Sequence, residues 1–169
     1  SNSYVDVLNQ IVADLVGKGG LDKDTEENKS NKAVIIVVTS DRGLAGGYNT
    51  NILKAAENKQ AELLSENKEV ELVTVGKKGT GYFNYRNFES VNQYEGVTDE
   101  PKFEDAFEVM KPVIEGYNEG DVSEVYILYT EYMSALTQKA TVKQLLPVVR
   151  DAEENTDKTE DTSGGYSFE

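Results

Sequence analysis

The feature that most constrains the fold is the run AVIIVV at residues 33–38, closed by Thr39. It is apolar at every position and mostly β-branched, with none of the polar alternation that a sheet face open to water imposes. Such a strand suits the centre of a parallel sheet covered by helices on both sides. It runs directly into SDRGLAGGYNTN, and a helix-like segment comes next. A nucleotide-binding protein keeps its phosphate loop at this place. The glycines therefore either cradle a phosphate or only let the chain turn sharply.

The rest of the chain is punctuated in the same style. In residues 4–16, Tyr4, Leu8, Ile11, Val12, Leu15 and Val16 fall on one helix face. Residues 17–32 are glycine-rich and charged, an exposed linker that joins this first helix loosely to the first strand. A helix is expected over residues 49–66, capped by Asn49 or Thr50, with Ile52, Leu53, Ala56, Leu63 and Leu64 as its apolar stripe. EVELVTV reads as a second strand, GKKGTGYFNYRN as a turn with a short helix, and residues 90–94 as a third strand. Pro101 opens a helix to about Tyr117, with Phe103, Ala106, Val109 and Met110 facing inward. SEVYILYTEY is a fourth strand and QKATVKQLLPVV a fifth, its hairpin partner, although Val142, Leu145, Leu146 and Val149 also fit a helix; Pro147 argues for an edge or strand-end position. Strands alternating with helices describe a three-layer α/β/α, Rossmann-like mixed sheet of about five strands, the last antiparallel. The sheet domain spans residues 33–149; residues 150–165 are an acidic, flexible segment, and 166–169 return to aromatic residues.

Composition removes most catalytic kits. The chain of 169 residues, long enough for one domain with a single core, has no cysteine and no histidine. Thiol nucleophiles, disulfides, the usual zinc sites and imidazole bases are therefore excluded. The net charge of −14 repels nucleic-acid phosphates and anionic lipid, and serves solubility. No apolar run approaches the roughly 20 residues needed to span a bilayer, so direct membrane insertion is not expected.

The glycine turn lacks the spacing that phosphate binding needs. A dinucleotide fingerprint requires Gly-x-Gly-x-x-Gly and an acid at the tip of the second strand. Here the glycines are Gly43, Gly46 and Gly47, Ala45 stands where the close-approach glycine belongs, and the second strand ends in Val75-Gly76-Lys77-Lys78. The hydrolase phosphate loop is absent as well. Lys77 and Lys78 leave an NADP-type site open as an alternative, and Asp41 leaves a receiver-like regulatory domain, although Arg42 beside it replaces the acidic cluster a receiver needs. Asp41 and Arg42 sit at the carboxyl end of the first strand, where open sheets place ligands, and can equally pair with each other or cap backbone. Asp41, Arg42, Gly43, Gly46 and Gly47 are thus read as a structural turn. No pair of acids stands out as a catalytic dyad.

TSDRGLAGGYNTN also closely resembles the end of the first strand in the gamma chain of the rotary ATP synthase. TVGKKGTGYF, FEDAFEV, GDVSEVYILYTEYMSALTQ, KQLLPV and GGYSFE come after it in that family's order. The resemblance implies a non-catalytic rotor component without cofactor or metal, coupling proton flow through the membrane ring to ATP synthesis in the catalytic head. It implies as partners the alpha and beta subunits of the head, the epsilon chain and the c-ring, and a peripheral position on the cytoplasmic face of a bacterial cell membrane. Residues 3–16 would be the end of the N-terminal shaft helix, and the chain the globular domain of a longer protein. Tyr166 and Glu169 match the family's Tyr-x-aromatic-Glu segment and are candidates for contact with the ring. Without the shaft's second helix, the first is expected to be poorly anchored.

Overall fold

A computed structural model describes residues 2–21, 28–41, 47–134, 136–149 and 156–161. In chain order the elements are α1 (Ser3–Gly17), β1 (Lys32–Val38), α2 (Gly47–Ser65), β2 (Glu69–Val75), α3 (Lys77–Tyr85), β3 (Asn92–Tyr94), α4 (Phe103–Asn118), β4 (Glu124–Tyr132), β5 (Gln138–Leu146) and β6 (Thr156–Asp161). They build one six-stranded sheet in the order β3-β2-β1-β4-β5-β6. β1 is central and runs parallel to β2 and β4, β2 runs parallel to β3, and β5 is antiparallel to β4 and to β6.

The two-sided apolarity of β1 has a direct cause. Ala33, Ile35 and Val37 point to one face, where they pack with Ile52, Ala56 and Leu63 of α2 and Phe83 of α3. Val34, Ile36 and Val38 point to the other, against Leu8 and Ile11 of α1 and Val109 and Met110 of α4. Successive side chains of a strand alternate faces, so a strand buried on both sides must be apolar throughout. The three layers are therefore α1 and α4, the sheet, and α2 and α3.

Four expectations change. α2 begins at Gly47, two residues before the first expected cap. Thr156–Asp161, read as part of a flexible acidic segment, pair with β5 as a sixth strand. Leu64 and Phe103, expected inward, are 52% and 53% exposed. Both lie at the border of an apolar stripe, where a helical period cannot tell a buried neighbour from an exposed one. The fourth change concerns α1, which is well anchored. Tyr4, Val5, Leu8, Ile11 and Val12 are buried in the core shared with β1, β4 and α4. At about 1.5–3 kcal/mol for each fully buried large side chain, that burial outweighs the marginal stability of a free helix of this length.

Polar ties fix both ends of α1. The Asn2 side chain accepts from the Val5 amide at 3.2 Å and donates to the Thr130 carbonyl at 2.9 Å. At the other end Asn118 donates to the Gly20 carbonyl at 2.9 Å. The described part of the segment between α1 and β1 is also held: Asn28 donates to the Val122 carbonyl at 2.8 Å and Ser30 to that of Asp121 at 2.6 Å.

Candidate functional site

Ligands of open α/β sheets bind outside the carboxyl ends of the strands. In this chain the carboxyl ends of β1, β2 and β3 are bound to one another. Thr39 N donates to the Val75 carbonyl at 2.8 Å, and Gly76 N to the Tyr94 carbonyl at 2.8 Å. The first N–H groups of α3 then point at the end of β1. An α-helix leaves its first four amides without intrahelical partners, which makes the N-terminus a natural anion site. Here Lys77 N donates to Asp41 Oδ1 at 3.0 Å, Lys78 N to the Ser40 carbonyl at 3.3 Å, and Gly79 N to Thr39 Oγ1 at 2.9 Å. Three groups that could hold a phosphate are engaged by three consecutive residues of the chain itself.

Asp41 carries the only charge among those acceptors. Its Oδ2 accepts from Thr98 Oγ1 at 2.9 Å and from Thr98 N at 3.4 Å. Burial pushes the Asp41 carboxyl upward, but donation from the Gly96 and Thr98 backbone, the Thr98 hydroxyl and the Lys77 amide outweighs it and holds the group below the usual carboxylate value. Four donors match the roughly four acceptor positions of a carboxylate. Asp41 thereby joins the end of β1, the start of α3 and the loop between β3 and α4.

Gly76 makes the close approach possible. Its φ of 110° and ψ of 138° lie where side chains are rarely tolerated, and a Cβ there would fall onto the Thr39 carbonyl oxygen. Gly79 is also restricted, since a Cβ would stand 3.2 Å from Thr39 Oγ1. The glycines of GKKGTG thus admit the backbone and hydroxyl of Thr39. The side chains of Lys77 and Lys78 are exposed. Behind them Thr74, Thr80 and Ser90 form a hydroxyl cluster, with Thr74–Thr80 at 2.8 Å and Thr74–Ser90 at 3.2 Å.

The start of α1 meets the same edge through Asn2 and Thr130, close to where the strand order reverses between β1 and β4. Tyr4 is 1% exposed, and its hydroxyl has no hydrogen-bond partner among the described residues. Burial, reinforced by Asp105, Tyr94 and Asp41, raises that hydroxyl well above its ordinary value and keeps it neutral. At the opposite end of the sheet a cleft of about 80 Å³ lies between α4 and β2, lined largely by valines. It is small beside the about 300–1,000 Å³ of typical ligand pockets. Among the described residues no three acids are grouped to hold a metal ion, and no helix is long and apolar enough to cross a membrane.

Of the residues singled out in the sequence, Asp41 lies at the centre of this arrangement and Gly47 opens α2. Arg42, Gly43, Gly46, Tyr166 and Glu169 lie outside the described residues. The sequence pattern does not mark Thr39, Gly76 and Thr98 as neighbours at Asp41. Gly76 has a visible signal, a glycine directly after a strand, whereas Thr98 is 57 residues from Asp41 and has none.

Comparison with known proteins agrees with this architecture. A family model described as ATP synthase matches residues 1–169. The ATP synthase gamma chain of Streptomyces griseus is 42% identical over 142 residues, covering 80% of this chain and 47% of that one. The gamma chain of Streptomyces coelicolor is 39% identical over 169 residues, covering 95% and 55%. The chain spans about half the length of these curated relatives. Among solved structures, a chain of the Tetrahymena thermophila mitochondrial ATP synthase central stalk and c-ring superposes with a TM-score of 0.56 at 19% identity, over 86% of this chain and 68% of that one. A chain of the Euglena gracilis mitochondrial ATP synthase gives 0.50 at 20% identity, over 84% and 52%. The structural likeness is one of fold, and the match of the family model along the whole sequence, with relatives that are gamma chains, carries the assignment: the chain belongs to the ATP synthase gamma-chain family.

Proposed function

We propose that this chain is the globular, non-catalytic body of a central-stalk rotor, which transmits rotation between a proton-driven membrane ring and a catalytic head that makes ATP. The observation that carries this reading is the family match over residues 1–169. The engaged α3 amides support the non-catalytic part, because the most phosphate-like turn among the described residues is filled by Thr39, Ser40 and Asp41. Its partners are the alpha and beta subunits, the epsilon chain and the c-ring, and its place is peripheral, on the cytoplasmic face of a bacterial membrane. Asp41 acts as a structural clasp in this body, and the turn it begins, with Arg42, Gly43, Gly46 and Gly47, is structural too. Tyr166 and Glu169 are its candidate contacts with the ring: a tyrosine supplies apolar area with a polar tip, and a carboxylate meets a basic or amide-bearing loop.

Two measurements test this. Calorimetric titration of the chain with ATP, NAD and NADP is expected to show no binding, and micromolar affinity for any of them would end the non-catalytic reading. In the full-length gamma chain reassembled with head and ring, Glu169→Lys is expected to lower proton pumping per ATP hydrolysed while the domain stays folded. Unchanged coupling would remove Glu169 as a contact.

A further inference from the structure

Phe103 and Phe107 occupy the first two turns of α4, where they stack with ring centroids 6.0 Å apart and 13° between planes. They remain 53% and 37% exposed, while Ala106, Val109 and Met110 of the same helix are buried. An aromatic pair four residues apart supports a helix, yet exposed phenyl rings also attract partners, and an ordinary ion pair would support the helix without that effect. The surrounding sequence is unusual in charge. Residues 95–108 hold Glu95, Asp99, Glu100, Glu104, Asp105 and Glu108 against one base, Lys102. Glu104 and Asp105 complement the start of the helix dipole. Glu95, Glu100 and Glu108 lie outside the first turn.

The surface is also held rigidly. Asp41 binds Thr98, five residues before Phe103. Inside α4, Pro112 has no N–H for the Glu108 carbonyl, and the Tyr94 hydroxyl donates to that carbonyl at 3.4 Å. A preorganised apolar anchor loses little entropy on binding. An acidic surround selects a basic partner and repels anionic lipid and nucleic acid.

We propose that Phe103 and Phe107, in their acidic surround, form a docking anchor for a basic segment of another polypeptide that carries an apolar side chain. The anchor does not depend on the rotor role, since the test uses this chain alone.

The probe is a synthetic helical peptide of lysine and leucine, titrated into the 169-residue chain at physiological ionic strength. Binding is expected to shift the backbone amide signals of residues 100–111. Phe103→Ser with Phe107→Ser should weaken it at least tenfold. Glu104→Gln with Glu108→Gln should weaken it about threefold and reduce its salt dependence, whereas Glu66→Gln with Glu69→Gln should leave it within a factor of two. All six positions are exposed, and unchanged circular dichroism melts confirm folding. Equal binding by the phenylalanine variant, or equal loss in both glutamine pairs, would overturn the proposal as mere attraction to net charge. Binding of anionic phosphatidylglycerol vesicles through the two rings, or self-association abolished by their replacement, would overturn it in favour of a membrane or a second copy.

Discussion

Replacing Gly76 by alanine tests how the edges of β1, β2 and β3 are closed. The residue has φ 110°, and an added Cβ would meet the Thr39 carbonyl oxygen, a backbone atom that cannot rotate away. Holding a non-glycine residue in so sparse a region costs about 1–3 kcal/mol. Forcing extra volume into a packed site costs about 1–3 kcal/mol more. Relieving either strain moves β2 from β1 and weakens the Gly79 N to Thr39 Oγ1 bond at 2.9 Å. Together the two costs give a mid-range loss of about 4 kcal/mol. For a domain of this size, about 2–4 °C of Tm accompanies each kcal/mol, so Tm should fall by about 8–16 °C. The matched control is Gly81→Ala in the same helix, where a Cβ meets nothing within 4 Å. It should be neutral or stabilising by about 0.5–1 kcal/mol. Thermal and urea unfolding followed by circular dichroism measure both. A Gly76→Ala chain melting within about 2 °C of the parent, less than 1 kcal/mol on this scale, would refute the reasoning.

Two other substitutions probe the clasp and the first helix. Asp41 has a lowered carboxyl value in the folded chain, so its contribution is complete above the unfolded value of about 3.9 and is lost as pH falls through the lower folded value. Asp41→Asn should destabilise the chain by about 1.5–3 kcal/mol at neutral pH, the worth of hydrogen bonds to a charged group. It should also flatten the acid limb of stability below about pH 4, and an unaltered limb in pH-dependent urea unfolding would count against the clasp. Leu8→Ala, at a position with 0% exposure, should cost about 2–5 kcal/mol, and the amides of α1 should exchange as slowly as those of β4. Rapid exchange throughout α1 would show that its packing on the sheet does not persist in solution.

The parts of the fold legible in the sequence are those that declare themselves over a few neighbours. β1 is readable because burial on both faces leaves a continuous apolar run, β2 because β-branched and apolar residues gather at its buried end, and α4 because Ala106, Val109, Met110 and Tyr117 repeat at helical spacing. β6 is not, since TDKTED carries no apolar alternation and owes its strand to pairing with β5. The anchoring of α1 escapes for a different reason. Its stripe announces a buried face, but periodicity does not name the surface that buries it. The answer lies in residues distant along the chain, β1, β4 and α4 in the core and Thr130, 128 residues from Asn2, at the helix start.

The site shows the same division with more consequence. A glycine turn after a strand followed by a helix is common to nucleotide enzymes and to this chain, so the local pattern cannot separate them. The separation lies in the groups that the α3 amides meet. A helix N-terminus that takes an anion keeps these amides open, and the strand end opposite withdraws. Here Thr39, Ser40 and Asp41 advance into that space, and Gly76 is the residue that lets them come so close. The glycine that looks like a remnant of phosphate binding therefore serves the opposite purpose. It admits backbone where a nucleotide protein admits phosphate, and it locks three strand ends into one body. The proposed rotor role would draw on that rigidity. An edge closed by its own chain also leaves partner recognition to surfaces such as the first turns of α4, whose approach loop Asp41 fixes through Thr98.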